Sequence, residues 1–547
     1  MQNKYPPHFH STPTPTTMDV ISPIQILHTI LALFILYGGW RIATSIRKIN
    51  TKKISKVPEP SGAWPFIGHL HLLGRTQDPI ALILGALADK HGPIYSLKLG
   101  LHNLVVVSSW ELVKECLAKN DRVFATRPSI TGGKYLGYNS AIFSLAPYGQ
   151  YWRDIRKMAT LELLSSHRVE LLSHVRATEL DSFIKSLFSL CTTKRTRTPH
   201  SPVVNLSELI EQLTFNMNLR LIAGKRFSSD QYHEENSTAC RFERATKEAL
   251  YLFGVFVWSD AMPFLEWLDI GGHVSAMKRC FKEFDSVLGE WLEEHRQRKS
   301  SEGKNGTVES DLMDAMISKF EEEDEIAGHS RDTVIKATAL VLILTGSEST
   351  SITLTWALSL LLNNPRVLKA AQEELDHHVG RDRWVQESDI KNLKYLQAIV
   401  KETLRINPPG PITGLREATE DCYVGGYYVP KGTRLLVNIW KLQRDPLMWS
   451  DPCEFRPERF MTENADMDFR GQSFEYIPFS AGRRSCPGMT LGLHVVHLVL
   501  ARLVQGFDMK REGDELVDMR AGLGLALPKA TPLEAVLAPR LPVELYY

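Results

Sequence analysis

FSAGRRSCPG, Phe479–Gly488, is the stretch on which the reading of this chain turns. It leads into MTLGLHVVHLVLARLV, an apolar run that predicts a helix, so Cys486 falls where a loop becomes a helix N-terminus. Pro487 suits the first helical turn, where a missing N–H costs nothing. Unpaired backbone N–H groups and the helix dipole there stabilise an anion, which lowers a thiol's pKa and favours the thiolate that binds metal. Gly482 and Gly488 let the backbone pass closely beneath something flat, and Arg484 adds a fixed positive charge. Against this, a lone cysteine ahead of a helix is most often a small buried apolar residue.

Other segments bear on the choice. Between Asp332 and Leu362 the sequence is apolar almost all round, which predicts a helix buried inside a large domain. TGSEST (345–350) interrupts it with a glycine, an acid and several hydroxyls, an expense that suggests a use, unless the hydroxyls merely bond back to helix carbonyls. Glu402 and Arg405 share a helix face, and Arg459 follows 54 residues later; alone, such a pair is a surface contact of a few tenths of a kcal/mol. Trp152 and Arg156, one turn apart, place an indole N–H and a guanidinium where both reach a single anion.

With Phe479, Gly482, Arg484, Cys486 and Gly488 all in place, F-x-x-G-x-R-x-C-x-G resembles the haem-ligand loop of the cytochrome P450 family. The resemblance implies a mainly α fold with small β-sheets, a single large catalytic domain, and haem b with Cys486 as the iron's thiolate ligand. It implies that Trp152, Arg156, Arg416 and Arg484 bind the propionates, and that Glu402, Arg405 and Arg459 form a buried structural cluster. Gly346 would open space for dioxygen, while Glu348 and Ser349 would help deliver protons. The usual pair is Asp and Thr; Ser keeps the hydroxyl but loses the methyl that restricts its rotamer. PEPSGAWPFIGHLHLL, RVFATRP, LGYN and APYGQYWRDIRK resemble the plant specialised-metabolism branch, which includes hydroxylases of terpenoids, flavonoids and alkaloids. The implied substrate pocket draws on Tyr135 to Phe143, Leu340 to Thr345, Pro411 to Leu415 and Leu523 to Leu527. These stretches are mostly apolar and suit a small hydrophobic substrate; Tyr135, Tyr138 and Phe143 either stack on a substrate ring or pack the core. Rival readings are a haem-thiolate isomerase or dehydratase that does not use O2, and a non-catalytic haem-binding membrane protein.

Composition agrees with an ordinary globular enzyme: 547 residues, 43% hydrophobic and 23% charged. Lys plus Arg (64) balances Asp plus Glu (63), which argues against a nucleic-acid partner. Seven scattered cysteines form no CxxC pair, as expected of free thiols in a reducing compartment. ISPIQILHTILALFILYGGW (21–40) is long enough to span a bilayer, and the basic residues after it place the remainder in the cytosol. The expected organisation is a lumenal tail over 1–20, a transmembrane anchor over 21–40, a basic Pro-rich linker over 41–60 and the catalytic domain over 61–547. The resemblance to microsomal members adds the endoplasmic reticulum membrane. No G-x-G-x-x-G follows a strand, so electrons from NADPH are expected through a separate NADPH–cytochrome P450 reductase.

Two hairpins are predicted, one from IYSLKLG with NLVVVSS and one within YVGGYYVPKGTRLLVN.

Overall fold

The computed structural model describes residues 28, 55–73, 78–193, 203–227, 237–302 and 311–547. The expected tail, all of the expected anchor but His28, and most of the linker lie outside them. Lys56–Tyr547 forms one compact unit. Its longer helices are α1 (Ile80–His91), α2 (Gln150–Met158), α3 (Ser173–Thr193), α4 (Leu206–Ala223), α5 (Thr238–Gly254), α6 (His273–Glu302), α7 (Arg331–Asn363), α8 (Pro365–His378), α9 (Lys394–Ile406) and α10 (Met489–Gly506).

The strands are few. β1 (Ile94–Leu99) and β2 (His102–Val107) form the first predicted hairpin, with Ile94 facing Val107 and Leu99 facing His102. Its two-residue turn begins at Gly100, whose φ of 60° suits the first central position of a turn that follows strand twist. The second predicted hairpin is divided. β4 (Cys422–Val424) and β5 (Tyr427–Val429) turn at Gly425 and Gly426, both at positive φ, whereas β6 (Arg434–Val437) leaves them to run parallel to β2. Leu435 and Val437 are fully buried, so β6 satisfies its apolar side chains by joining the larger sheet. β3 (Arg416–Glu417) pairs antiparallel with β6 and completes a four-stranded sheet. Phe507–Lys510, Glu534–Pro539 and Val203–Asn205 make a separate three-stranded sheet.

Helix α7 is the axis of the core. Its 33 residues extend about 50 Å at 1.5 Å per residue, and Ser330 caps its start by accepting from the Thr333 N–H at 3.3 Å. By length and hydropathy α7 could cross a membrane, as could α10. Both are instead buried in protein, as the all-round apolar pattern predicts. α4 lies closely along α7, and the glycine of TGSEST makes this approach possible. A Cβ on Gly346 would stand 2.7 Å from Asn218 Oδ1, whose amide is fixed by its 2.8 Å bond to the Thr214 carbonyl.

α9 carries a fully buried ionic cluster. Arg405 Nε and Nη2 donate to the two Glu402 oxygens at 2.7 and 2.9 Å, and Arg459 Nε donates to Oε1 at 3.0 Å. Arg405 Nη1 also bonds the Gln443 and Pro452 carbonyls, and Arg459 Nη1 that of Ser450. The Gln443 amide donates to the Leu404 and Arg405 carbonyls and accepts from the Ile477 N–H. The cluster is thereby tied to the residues just before Phe479. A buried ion pair is weak evidence for net stability, but removing one partner leaves uncompensated charge behind.

Glu402→Ala should therefore cost about 3–5 kcal/mol, measured by chemical unfolding; a loss under 1 kcal/mol would contradict the cluster's role. Gly346→Ala should destabilise by about 1–3 kcal/mol through overpacking. Adding Asn218→Ala should recover most of that loss, and simple additivity of the two would disprove the contact.

Candidate functional site

Cys486 sits on a loop that folds back on itself. Its N–H donates to the Phe479 carbonyl at 2.9 Å, and the Ser485 N–H donates to Gly482 O at 3.0 Å. α10 begins at Met489 with Gly488 as its cap, so Pro487 stands just before the helix and not in its first turn. The thiol still meets the helix N-terminus, through the backbone N–H groups of Gly488 and Met489. It does not acquire the low pKa expected of that position. Burial raises it above the ordinary thiol value, and the two N–H groups and Arg156 offset this only in part. The sulfur opens on an internal cavity while protein surrounds it, and a bound metal would deprotonate it outright.

This cavity, about 240 Å³, is lined by Cys486, Phe479, Leu493 and Val496, by Ser349, Thr350 and Thr353 of α7, and by Leu404, Ile412 and Ile439. Arg127, Arg416 and Arg484 also line it. A Cβ on Gly488 would stand 4.0 Å from Sγ, an ordinary contact that the site would accommodate. Phe479 packs edge-on against Phe469 at 5.8 Å.

The arginines are held by carbonyls. Arg484 donates to the carbonyls of Ala125, Phe143 and Ala146 at 2.7, 3.2 and 2.6 Å, and its guanidinium lies 4.4 Å from the Trp152 ring centroid. Arg127 bonds the Ser144 and Leu415 carbonyls at 3.1 and 2.6 Å, and that of Gly414 as well. Arg416 donates to Ala481 O at 3.2 Å, yet its Nε and Nη1 are buried without hydrogen-bond partners. Arg156 has one long contact, 3.5 Å to Ser485 Oγ. Burial pushes the pKa of Arg484 down to about 8, with Arg127, Arg416 and Arg156 adding repulsion. Burial likewise takes Arg127 to about 9, helped by Arg416, and Arg416 to about 10. Arg156 is lowered too, by burial. Partly desolvated guanidiniums that repel one another, with free donors among them, match the needs of a flat dianion lying over a cysteine. Haem, with two propionates and an iron, fits this donor set.

The structure thus brings together Cys486, Phe479, Arg484, Gly488, Trp152, Arg156, Arg416 and Ser349. Arg127 was not legible beforehand. It belongs to RVFATRP, where one arginine before a proline gives no helical spacing to read. Gly346 lies off the cavity wall, its missing side chain used by Asn218. Arg484 is buried, whereas its neighbour Arg483 reaches solvent.

On α7, the Ser349 hydroxyl donates to the Thr345 carbonyl at 2.7 Å, one of several such back-bonds. Glu348 makes no such bond. Burial, with repulsion from Glu211, pushes its carboxyl up to about 7.

Of the expected pocket stretches, Ile412, Thr413 and Gly414 line the cavity. Tyr138 instead packs edge-to-face on Phe281 at 4.8 Å, and the Tyr135 hydroxyl donates to Glu266. Phe143 is buried. Leu527 is buried beside Trp356, while Leu523 and Leu525 face solvent.

Residues 58–533 match the family described as Cytochrome P450. A flavonoid-6-hydroxylase of Ocimum basilicum is 50% identical over 531 residues, covering 96% of this chain and 98% of that protein. A nicotine N-demethylase of Nicotiana tomentosiformis is 45% identical over 538 residues, covering 96% and 100%. A solved zebra fish cytochrome P450 with progesterone superposes with a TM-score of 0.70 at 26% identity, covering 84% of this chain and all of that one. The chain belongs to the cytochrome P450 family.

Proposed function

We propose that Cys486 holds the iron of haem b as a thiolate and that Arg127, Trp152, Arg156, Arg416 and Arg484 receive its propionates. The observation that carries this reading is one cavity in which a cysteine at a helix start meets buried arginines with unpaired donors. The enzyme is a plant cytochrome P450 monooxygenase of specialised metabolism, and its relatives act on flavonoids and alkaloids by hydroxylation or demethylation. The substrate is a small, largely hydrophobic metabolite such as a flavonoid, alkaloid or terpenoid, held against Ile412 and Thr413.

The haem, when bound, would supply oxygen activation with electrons from NADPH through a separate reductase, and Cys486 would lend it the electron density of a thiolate. This chain's residues bind, orient and move protons. Glu348, with a carboxyl near 7, carries a transferable proton below that pH and is ionised above it. The Ser349 hydroxyl donates into its own helix, which leaves its oxygen facing the cavity as an acceptor; to relay a proton inward it turns its hydrogen from the Thr345 carbonyl toward the cavity as it accepts another. Gly346 serves by letting α4 set where α7 lies.

Residues 61–547 are the catalytic domain, behind a lumenal tail (1–20), an anchor in the endoplasmic reticulum membrane (21–40) and a linker (41–60), with the domain in the cytosol. Exposed Phe66, Leu101, Phe264, Trp267 and Ile270 support a face turned to lipid. Leu101 joins Ala261 directly through its N–H, at 3.0 Å, next to the segment carrying the last three.

Microsomes carrying the chain and a plant reductase should oxygenate at least one member of a flavonoid, alkaloid and terpenoid panel in an NADPH-dependent way. Cys486→Ala should abolish both turnover and the thiolate-haem spectrum; retained turnover in that variant would sink the assignment. Ser349→Ala should lower product formed per NADPH consumed. In the wild type this ratio should fall as pH rises through about 7, and Glu348→Gln should flatten the dependence. An unchanged pH profile in Glu348→Gln would show that protons enter elsewhere.

A further inference from the structure

Asp121 has no part in the roles above, yet three parts of the site meet on its buried carboxylate. It follows the π-type turn Glu115–Lys119 that ends a short helix. From the cysteine loop, the Arg483 N–H lies 3.1 and 3.2 Å from its two oxygens, and Arg483 Nη1 donates to Oδ2 at 2.7 Å. Gly482, at φ +71°, sits directly against it: a Cβ there would stand 2.5 Å from both Asp121 Oδ1 and the Leu117 carbonyl oxygen. The glycine expected to pass beneath a flat group is therefore required by Asp121 and Leu117. Since Gly482 O accepts from the Ser485 N–H at 3.0 Å, Cys486 is only one peptide beyond the anchored turn.

From the arginine side, Arg416 Nη1 lies 3.8 Å from Asp121 Oδ1, too far for a hydrogen bond but close for two opposite charges. Among the described residues, no other carboxylate forms an ion pair with Arg127, Arg156, Arg416 or Arg484. The same group therefore fixes the loop bearing the ligand and tempers the positive field at the haem.

We infer that Asp121 is a positioning residue of the haem site, holding the Cys486 loop through Arg483 and Gly482 while supplying the negative charge that partly offsets Arg416. This rests on the haem-thiolate reading above. A negative charge near an iron favours its oxidised form and a positive charge its reduced form, so the two partners of the Asp121–Arg483 pair should move the haem potential in opposite directions. A purely structural role predicts no such opposition.

The test is spectroelectrochemical titration of the full-length holoprotein in wild type, Asp121→Asn and Arg483→Gln, with ferrous–carbon monoxide spectra and haem per chain measured in parallel. Asp121→Asn should raise the midpoint potential and lower haem retention, and Arg483→Gln should lower the potential while the thiolate-type spectrum persists. Wild-type potentials in both variants would overturn the inference, even if Asp121→Asn were less stable. If Asp121→Asn does not accumulate, Arg483→Gln, on a half-exposed side chain, decides: a downward shift supports the inference and no shift overturns it. A wild type lacking the thiolate-type spectrum would instead overturn the haem-thiolate reading, and the inference with it.

Discussion

Burying a guanidinium without a carboxylate in hydrogen-bond reach is expensive, and this protein does so at Arg127, Arg416 and Arg484 around one cavity, with only Arg416 drawing on a carboxylate, that of Asp121 at 3.8 Å. Irregular backbone is equally hard to bury, because its carbonyls have no ladder or solvent to bond. The two costs cancel each other here. Arg484 bonds carbonyls from Ala125 to Ala146, and Arg127 ties Ser144 to Gly414 and Leu415. Three segments far apart in the sequence are thus pinned around the cavity by donors from two side chains. What carbonyls cannot cancel is the net charge: burial lowers these pKa values, repulsion adds to it at Arg127 and Arg484, and two propionates would meet that demand.

The cysteine obeys a related balance. A helix N-terminus favours a thiolate, but at Cys486 burial outweighs the two N–H groups and Arg156. A bound metal, whose charge exceeds any local dipole, would take over the deprotonation that the helix start alone does not achieve. Arg156 serves both sides, being repelled by Arg484 and drawn toward Cys486.

Whatever is local in sequence was legible before the structure. The Cys486 loop, the β1–β2 hairpin with its glycine turn, the all-round apolar α7 and the Glu402–Arg405 pair each lie within one element or one short spacing. Contacts hundreds of residues apart were not. Arg127 reaches Gly414, and Asp121 reaches Arg483, through pairings no periodicity announces. The glycines show the difference most sharply. Gly346 and Gly482 are recognisable as positions that need no side chain, but the neighbours that impose it, Asn218 in one case and Asp121 with Leu117 in the other, belong to segments remote in sequence. β6 makes the same point: its apolar run reads as a strand, and only the buried face of β2 decides where it pairs.

The hydroxyls of α7 show where the fold bears a functional cost. Thr345, Ser347, Ser349, Thr353 and Ser359 all donate to the carbonyl one turn back, so each is satisfied where it stands and costs the buried helix little. Glu348 has no such outlet. It is desolvated and faces the field of Glu211, and it answers by holding its proton to about pH 7. Packing would be better served by almost any apolar side chain at that position. Glu348 is therefore the member of the acid–alcohol pair that structure alone does not explain, and the substitution of Ser for Thr beside it leaves this reasoning unchanged, because the hydroxyl's own bond to Thr345 fixes what the lost methyl would have restricted.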